Sequence, residues 1–128
     1  LDFLVNLNHR MQKQEQEEPA QKKMNQAIAY IREHYAEDMN MATVSNYISM
    51  NYTLFSYSFK QYTGQNFVSY LKEIRLSAAR ELLENTEEKI IDIAHRVGYD
   101  NEKHFLKTFK SQFGVSPSEY RKNMQRKE

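Results

Sequence analysis

The sequence has no cysteine and no tryptophan, only two prolines and three glycines, and no apolar run approaching the length of a membrane span. Without cysteine, disulfide staples and thiolate-ligated zinc are excluded, and a reducing compartment is compatible with the chain. The first residues lack the charged, apolar and small-residue pattern of a signal peptide, so a cytoplasmic location is expected. Charge of one sign is also missing: 18 Lys and Arg against 17 Asp and Glu leave a formal net charge of +1. There is no phosphate-cradling Gly-x-x-x-x-Gly-Lys loop and no Gly-x-Ser-x-Gly elbow. The four histidines, His9, His34, His95 and His104, show no His-x-x-x-His spacing. Nothing here builds an active site, and no enzyme activity, cofactor or metal is expected.

What the chain does contain is helical periodicity. The clearest stretch is IIDIAHRVGYDNEKHFLKTFKSQFGVSPSEYR, residues 90–121. Ile90, Ile93, Ala94 and Val97 recur on one face of a short helix. Gly98 comes next, where a left-handed C-terminal cap favours a residue without Cβ. Asp100 or Asn101 is placed to cap the next helix. That helix carries Phe105, Phe109 and Phe113 on an apolar stripe, with Lys103, Lys107 and Lys110 elsewhere around it. Gly114 closes it. Ser116-Pro117-Ser118-Glu119 then reads as a capping box with proline at the first helical position. Two helices joined by a short glycine-containing turn, the second basic on its free face, form a helix-turn-helix pattern.

The pattern occurs twice. At an offset of fifty residues, Asn51, Phe55, Phe59, Lys60, Gly64 and Tyr70 fall on Asn101, Phe105, Phe109, Lys110, Gly114 and Tyr120. Roughly one identity in that window would arise by chance, so the chain reads as two related modules in tandem.

Taken in order, residues 1–23 are expected to be a linker or the end of a missing upstream domain. Leu4, Leu7 and Met11 have an amphipathic spacing, Gln12–Lys23 is polar and contains Pro19, and a chain opening on Leu1 suggests a fragment of something longer. Residues 24–64 form the first module. Its opening helix runs from Met24 to about Ala36 with Ala27, Ile28, Ile31 and Tyr35 inward. Asp38 or Asn40 caps a short helix with Met41, Val44 and Ile48 inward. A second helix from Asn51 to about Thr63 carries Phe55, Phe59 and Tyr62. Residues 65–85 form a linker helix whose inward stripe reads Phe67, Leu71, Ile74, Ala78 and Leu82. Asn85-Thr86 break it and cap the start of the second module. About twenty residues span about 30 Å, close to one turn of B-DNA. Residues 86–121 form the second module and 122–128 a tail.

Charge is unevenly distributed. Residues 1–64 hold 6 basic and 7 acidic side chains, whereas residues 96–128 hold 8 and 4. The positive end coincides with the second module, as a phosphate-facing surface requires.

Residues from about Met24 to Arg121 resemble the DNA-binding domain of the AraC/XylS family of bacterial transcription regulators. The Ile-x-x-Ile-Ala helix, the Val97-Gly98-Tyr99 turn, the Phe105-x-x-x-Phe109-Lys110 helix and the closing Gly114-x-Ser-Pro-x-x-Tyr-Arg carry the resemblance. Ile74-Arg75, Ala78 and Leu82-Leu83 in the linker helix match as well. It implies an all-α, seven-helix fold of two helix-turn-helix lobes joined by the long helix, and binding to double-stranded promoter DNA; the length of that helix is what would set the two recognition helices into successive major-groove segments. Carried over by position, Thr53, Ser56 and Tyr57 in the first lobe and Glu102, Lys103 and Lys107 in the second would read bases. Asn51, Lys60, Asn101 and Lys110 would meet phosphates. Arg75 is expected to be a structural residue that pairs with an acid rather than a base reader. The first lobe departs from the family: Tyr57 stands where Arg is usual, Ser58 where an apolar residue is usual, Ser45 for Ala, and Ser49 for the turn glycine. The second lobe is therefore expected to supply most of the affinity. The resemblance further implies activation through RNA polymerase and an upstream receiver or sensory domain, and it allows this segment to be monomeric. The rival reading is a helical protein-interaction module that has lost specific DNA binding.

Overall fold

The computed structural model describes residues 20–126, with the side chain of Arg126 excepted. Leu4, Leu7, Met11 and Pro19, on which the expected linker rested, lie outside the described residues. Among the described residues there are seven helices and no strand. They are α1 (residues 20–34), α2 (Met41–Tyr47), α3 (Tyr52–Thr63), α4 (Phe67–Asn85), α5 (Ile90–Arg96), α6 (Glu102–Phe113) and α7 (Pro117–Arg126). No described helix is long and apolar enough to cross a membrane. The chain divides into two units. Of the described residues, 20–33 together with 40–65 make the first; 34–39 together with 66–126 make the second. Helix α1 is already formed at residue 20, inside the stretch read as polar linker.

The first unit closes around Ala27 and Ile31 of α1, Val44 and Ile48 of the α2 turn, and Phe55 and Phe59 of α3, all nearly inaccessible to solvent. Asn40 caps α2 by accepting from the Thr43 amide at 2.9 Å, and Asn51 caps α3 by accepting from Thr53 and Leu54. Tyr62 is 44% exposed; its hydroxyl reaches across to donate to Asn25 of α1 at 2.7 Å. Its ring sits on the rim because its polar end needs a partner or water.

In the second unit Leu76, Ala79, Leu83, Ile93, Ala94, Val97, Tyr99, Phe105 and Phe109 form one continuous core. The rings of Tyr99, Phe105, Phe109 and Phe113 succeed one another at 5.4, 5.9 and 4.6 Å between centroids. Helix α4 packs on both α5 and α7. Its buried residues are Phe67, Leu71, Leu76, Ala79 and Leu83; Ile74, Ala78 and Leu82, expected at its centre, are only half-buried. A helix flanked by two partners buries a stripe wider than a single three–four register, and its most buried positions run from Phe67 and Leu71 to Leu76, Ala79 and Leu83. Thr86 does not cap α5. Its hydroxyl donates back to the Leu82 carbonyl and accepts from the Glu88 amide, while the N-cap of α5 is Lys89, with no side-chain hydrogen bond.

The two turns differ by one residue. Ser49 and Gly98 are equivalent: their amides donate to Asn46 and His95, and the next amides along, Met50 and Tyr99, donate to Ser45 and Ala94. From there Asn51 caps α3 at once, whereas Asp100 intervenes before Asn101. The offset is therefore 49 residues for the first helices and fifty for the second. Both turn residues have positive φ, 54° at Ser49 and 105° at Gly98. A left-handed non-glycine residue carries strain. Ser49→Gly relieves it at some cost in unfolded-state entropy, so thermal melts should show a gain of about 0.5–1 kcal/mol. A destabilised variant would mean that the Ser49 side chain contributes more than its backbone costs.

Candidate nucleic-acid interface

Helices α3 and α6 have the same length, 12 residues, the same asparagine cap and the same left-handed glycine end, Gly64 and Gly114. Each is anchored by an identical pair, Phe55 with Phe59 and Phe105 with Phe109. Because the helix advances 100° per residue, Thr53, Tyr57 and Lys60 of α3 lie on the side opposite those rings, and Ser56 stands at its edge, about 60° from Phe59. In α6 the same places hold Lys103, Leu106, Lys107 and Lys110. All of these are exposed except Leu106, which is half-buried.

Among the described residues no carboxylate engages Lys60, Lys103, Lys107 or Lys110; elsewhere Glu88 is held by Arg96, and Glu37 lies against the His34 ring. The lysines therefore offer unspent charge on one helix side. Glu102 is different. As the first residue of α6 it lies on the edge next to the buried side and is half-buried. It also favours the positive end of the helix dipole. Asn51 and Asn101 spend their side-chain oxygens as caps, which leaves their amide nitrogens as the groups able to donate outward.

Several cations near the second unit's surface are occupied. Arg96 holds Glu88 with two bonds from one nitrogen, at 2.7 and 2.8 Å. Arg121 donates to the Leu83 carbonyl at 3.1 Å and the Glu88 carbonyl at 2.7 Å, closing the ends of α4 and the loop behind it. Arg75 was expected to pair with an acid; instead it donates to two backbone carbonyls, Tyr35 at 2.8 Å and Glu37 at 3.0 Å. It also lies 5.8 Å from the centre of the Tyr99 ring. Carbonyls beyond a helix end have lost their intrahelical donors, and Arg75 supplies them. Burial lowers the Arg75 pKa, and the neighbouring Tyr99, Asp100 and Asp38 oppose that shift. Tyr120 donates to Glu84; burial and then that hydrogen bond push its hydroxyl up to about 12.

Tyr52 is 55%, Leu54 53% and Tyr57 66% exposed, so α3 presents apolar and aromatic side chains at the places that Glu102, His104 and Lys107 take in α6. Sequence reasoning singles out Tyr57 but misses Tyr52 and Leu54. The signal is available in the fifty-residue offset, which sets Leu54 against His104 and so on the outside of the helix.

A family model described as a helix-turn-helix domain matches residues 44–123, most of the chain. The chain belongs to the AraC/XylS family. Among curated AraC/XylS relatives, the transcriptional activator RhaS of Enterobacter sp. (strain 638) is 36% identical over 99 residues, which cover 77% of this chain and 36% of that protein. The chain thus spans little more than a third of that relative's length. Among solved structures, the C-terminal domain of AraT, a response regulator from Geobacillus stearothermophilus, superposes with a TM-score of 0.77 at 36% identity, covering 79% of this chain and 84% of that one. The DNA-binding domain of AdpA, a global transcriptional factor determined in complex with a target DNA, gives 0.78 at 25% identity, covering 81% and 94%. Within the AraC/XylS fold, α3 and α6 are the second helices of the two helix-turn-helix units.

Proposed function

We propose that this chain is the DNA-binding output domain of a transcription activator that places α3 and α6 in successive major-groove segments of promoter DNA, in the cytoplasm. The observation that carries this reading is the exposed row of unpaired lysines on α6, set opposite Phe105 and Phe109 in a unit that is duplicated. Lys103 and Lys107 donate to guanine O6 and N7, with Glu102 at the groove edge; Thr53, Ser56 and Tyr57 make the first unit's base contacts. Lys60, Lys110 and the amide nitrogens of Asn51 and Asn101 hold phosphates and set the register. The longer protein would carry a receiver or sensory domain and act through RNA polymerase, in keeping with AraT being a response regulator and RhaS an activator.

Fluorescence anisotropy with a duplex, titrated between 50 and 200 mM salt, tests the reading. Two lysines on phosphates, with up to two more charges from Lys103 and Lys107 in the groove, give a slope of log affinity against log salt of roughly −2 to −4, so affinity falls on the order of tenfold to a hundredfold across that range. The exposed apolar surface of α3 favours one rival, a protein-interaction module. Weak, salt-insensitive association with duplex would support that rival and overturn the DNA reading.

A further inference from the structure

We infer that the first unit reads thymine methyl groups, through Leu54 and Tyr57, where the second unit reads guanines through lysine; the inference rests on the DNA-binding reading above. Its basis is the duplication. The two recognition helices share length, cap, C-terminal glycine and anchoring phenylalanines, so their outward side chains occupy equivalent places. At those places Lys103 is replaced by Thr53, His104 by Leu54 and Lys107 by Tyr57. Leu54 and Tyr57 are 53% and 66% exposed, three residues apart on one flank of α3. The equivalent pair in the second unit is His104 and Lys107, both exposed.

The chemistry of the side selects its occupant. An apolar side chain offered to the major groove finds one apolar group there, the thymine C5 methyl. The first turn of α3 holds no acidic residue and the helix as a whole has none, so nothing on it repels a polyanion. Lys60, equivalent to Lys110, stands in the last turn of the same helix to take a phosphate. Burying each methyl against Leu54 or the Tyr57 ring is worth about fourfold in affinity.

The test uses the duplex that the 128-residue chain enriches from a random library. Thymines in each half of that sequence are replaced by deoxyuridine, which removes the methyl and keeps every hydrogen-bonding group. Replacement in one half is expected to weaken binding about fivefold to twentyfold, and replacement in the other to change it less than about twofold. Leu54→Ala with Tyr57→Ala should lower affinity for the thymine duplex by a similar factor and become indifferent to deoxyuridine. Both positions are exposed, and circular dichroism checks that the variant keeps its helices. A deoxyuridine penalty in neither half overturns the inference while leaving DNA binding intact. So does a penalty that persists in full in the double variant, because other groups then read the methyls. Failure to enrich any duplex overturns both this inference and the reading beneath it.

Discussion

Gly98→Ala is expected to lower the melting temperature by about 10–20 °C, the largest stability loss from any single methyl group in the second unit. Two effects add at this position. Its φ of 105° is one that residues with a side chain rarely adopt. A Cβ there would also sit 2.8 Å from Arg75 Nε and 2.9 Å from the Tyr35 carbonyl oxygen. Those two atoms are the partners of one hydrogen bond, so the added methyl cannot be accommodated by moving one aside without losing the bond between them. The sum is about 3 kcal/mol or more. Gly64 and Gly114 make the comparison informative, because they share the positive φ, 80° and 81°, but a Cβ at either meets nothing within 4 Å. Alanine at those sites should cost only the backbone term, about 1–2 kcal/mol. Equal losses at all three glycines would show that the close approach of Arg75 adds nothing.

The second large effect concerns affinity. Lys103→Ala with Lys107→Ala should weaken binding to the preferred duplex by about 2–4 kcal/mol, on the order of a hundredfold, and blur sequence preference in the half that α6 contacts. Lys60→Ala with Lys110→Ala should behave differently. Binding should weaken uniformly across sequences, and the salt slope should shrink by about 2, because these lysines neutralise phosphates without reading bases. Parallel titrations of both double variants on preferred and scrambled duplexes separate the two roles. Of the single variants, Lys107→Ala should cost more than Tyr57→Ala, since a lysine–guanine contact outweighs an apolar one; an equal or larger loss at Tyr57 would reverse the ranking of the two units.

Much of this architecture can be read from residues whose chemistry is local. Asn40, Asn51 and Asn101 cap helices because their side chains reach their own backbone, and Phe55, Phe59, Phe105 and Phe109 are buried because four-residue spacing aligns them. The features that sequence does not reveal depend on partners distant in the chain. The centre of the α4 stripe lies at Leu76, Ala79 and Leu83 because α5 and α7 both pack on it. Arg75, which has acids nearby in sequence, is claimed by carbonyls some forty positions earlier, Tyr35 and Glu37. The extra residue Asp100 is invisible to an ungapped offset chosen on the second helices, which preserve the most identities. The apolar side of α3 is hidden by a sound generalisation: leucine and tyrosine usually face inward, and only position within the duplicated frame sets Leu54 outside.

The measurement that bears most directly on the central claim is selection of bound sequences from a random duplex library by the 128-residue chain. The account expects an asymmetric motif with two distinct half-elements, one guanine-containing and lost with Lys103 and Lys107, the other thymine-containing and lost with Leu54 and Tyr57. Enrichment of a single half-element would contradict the claim that both units read bases, and no enrichment at all would contradict specific DNA binding by this domain.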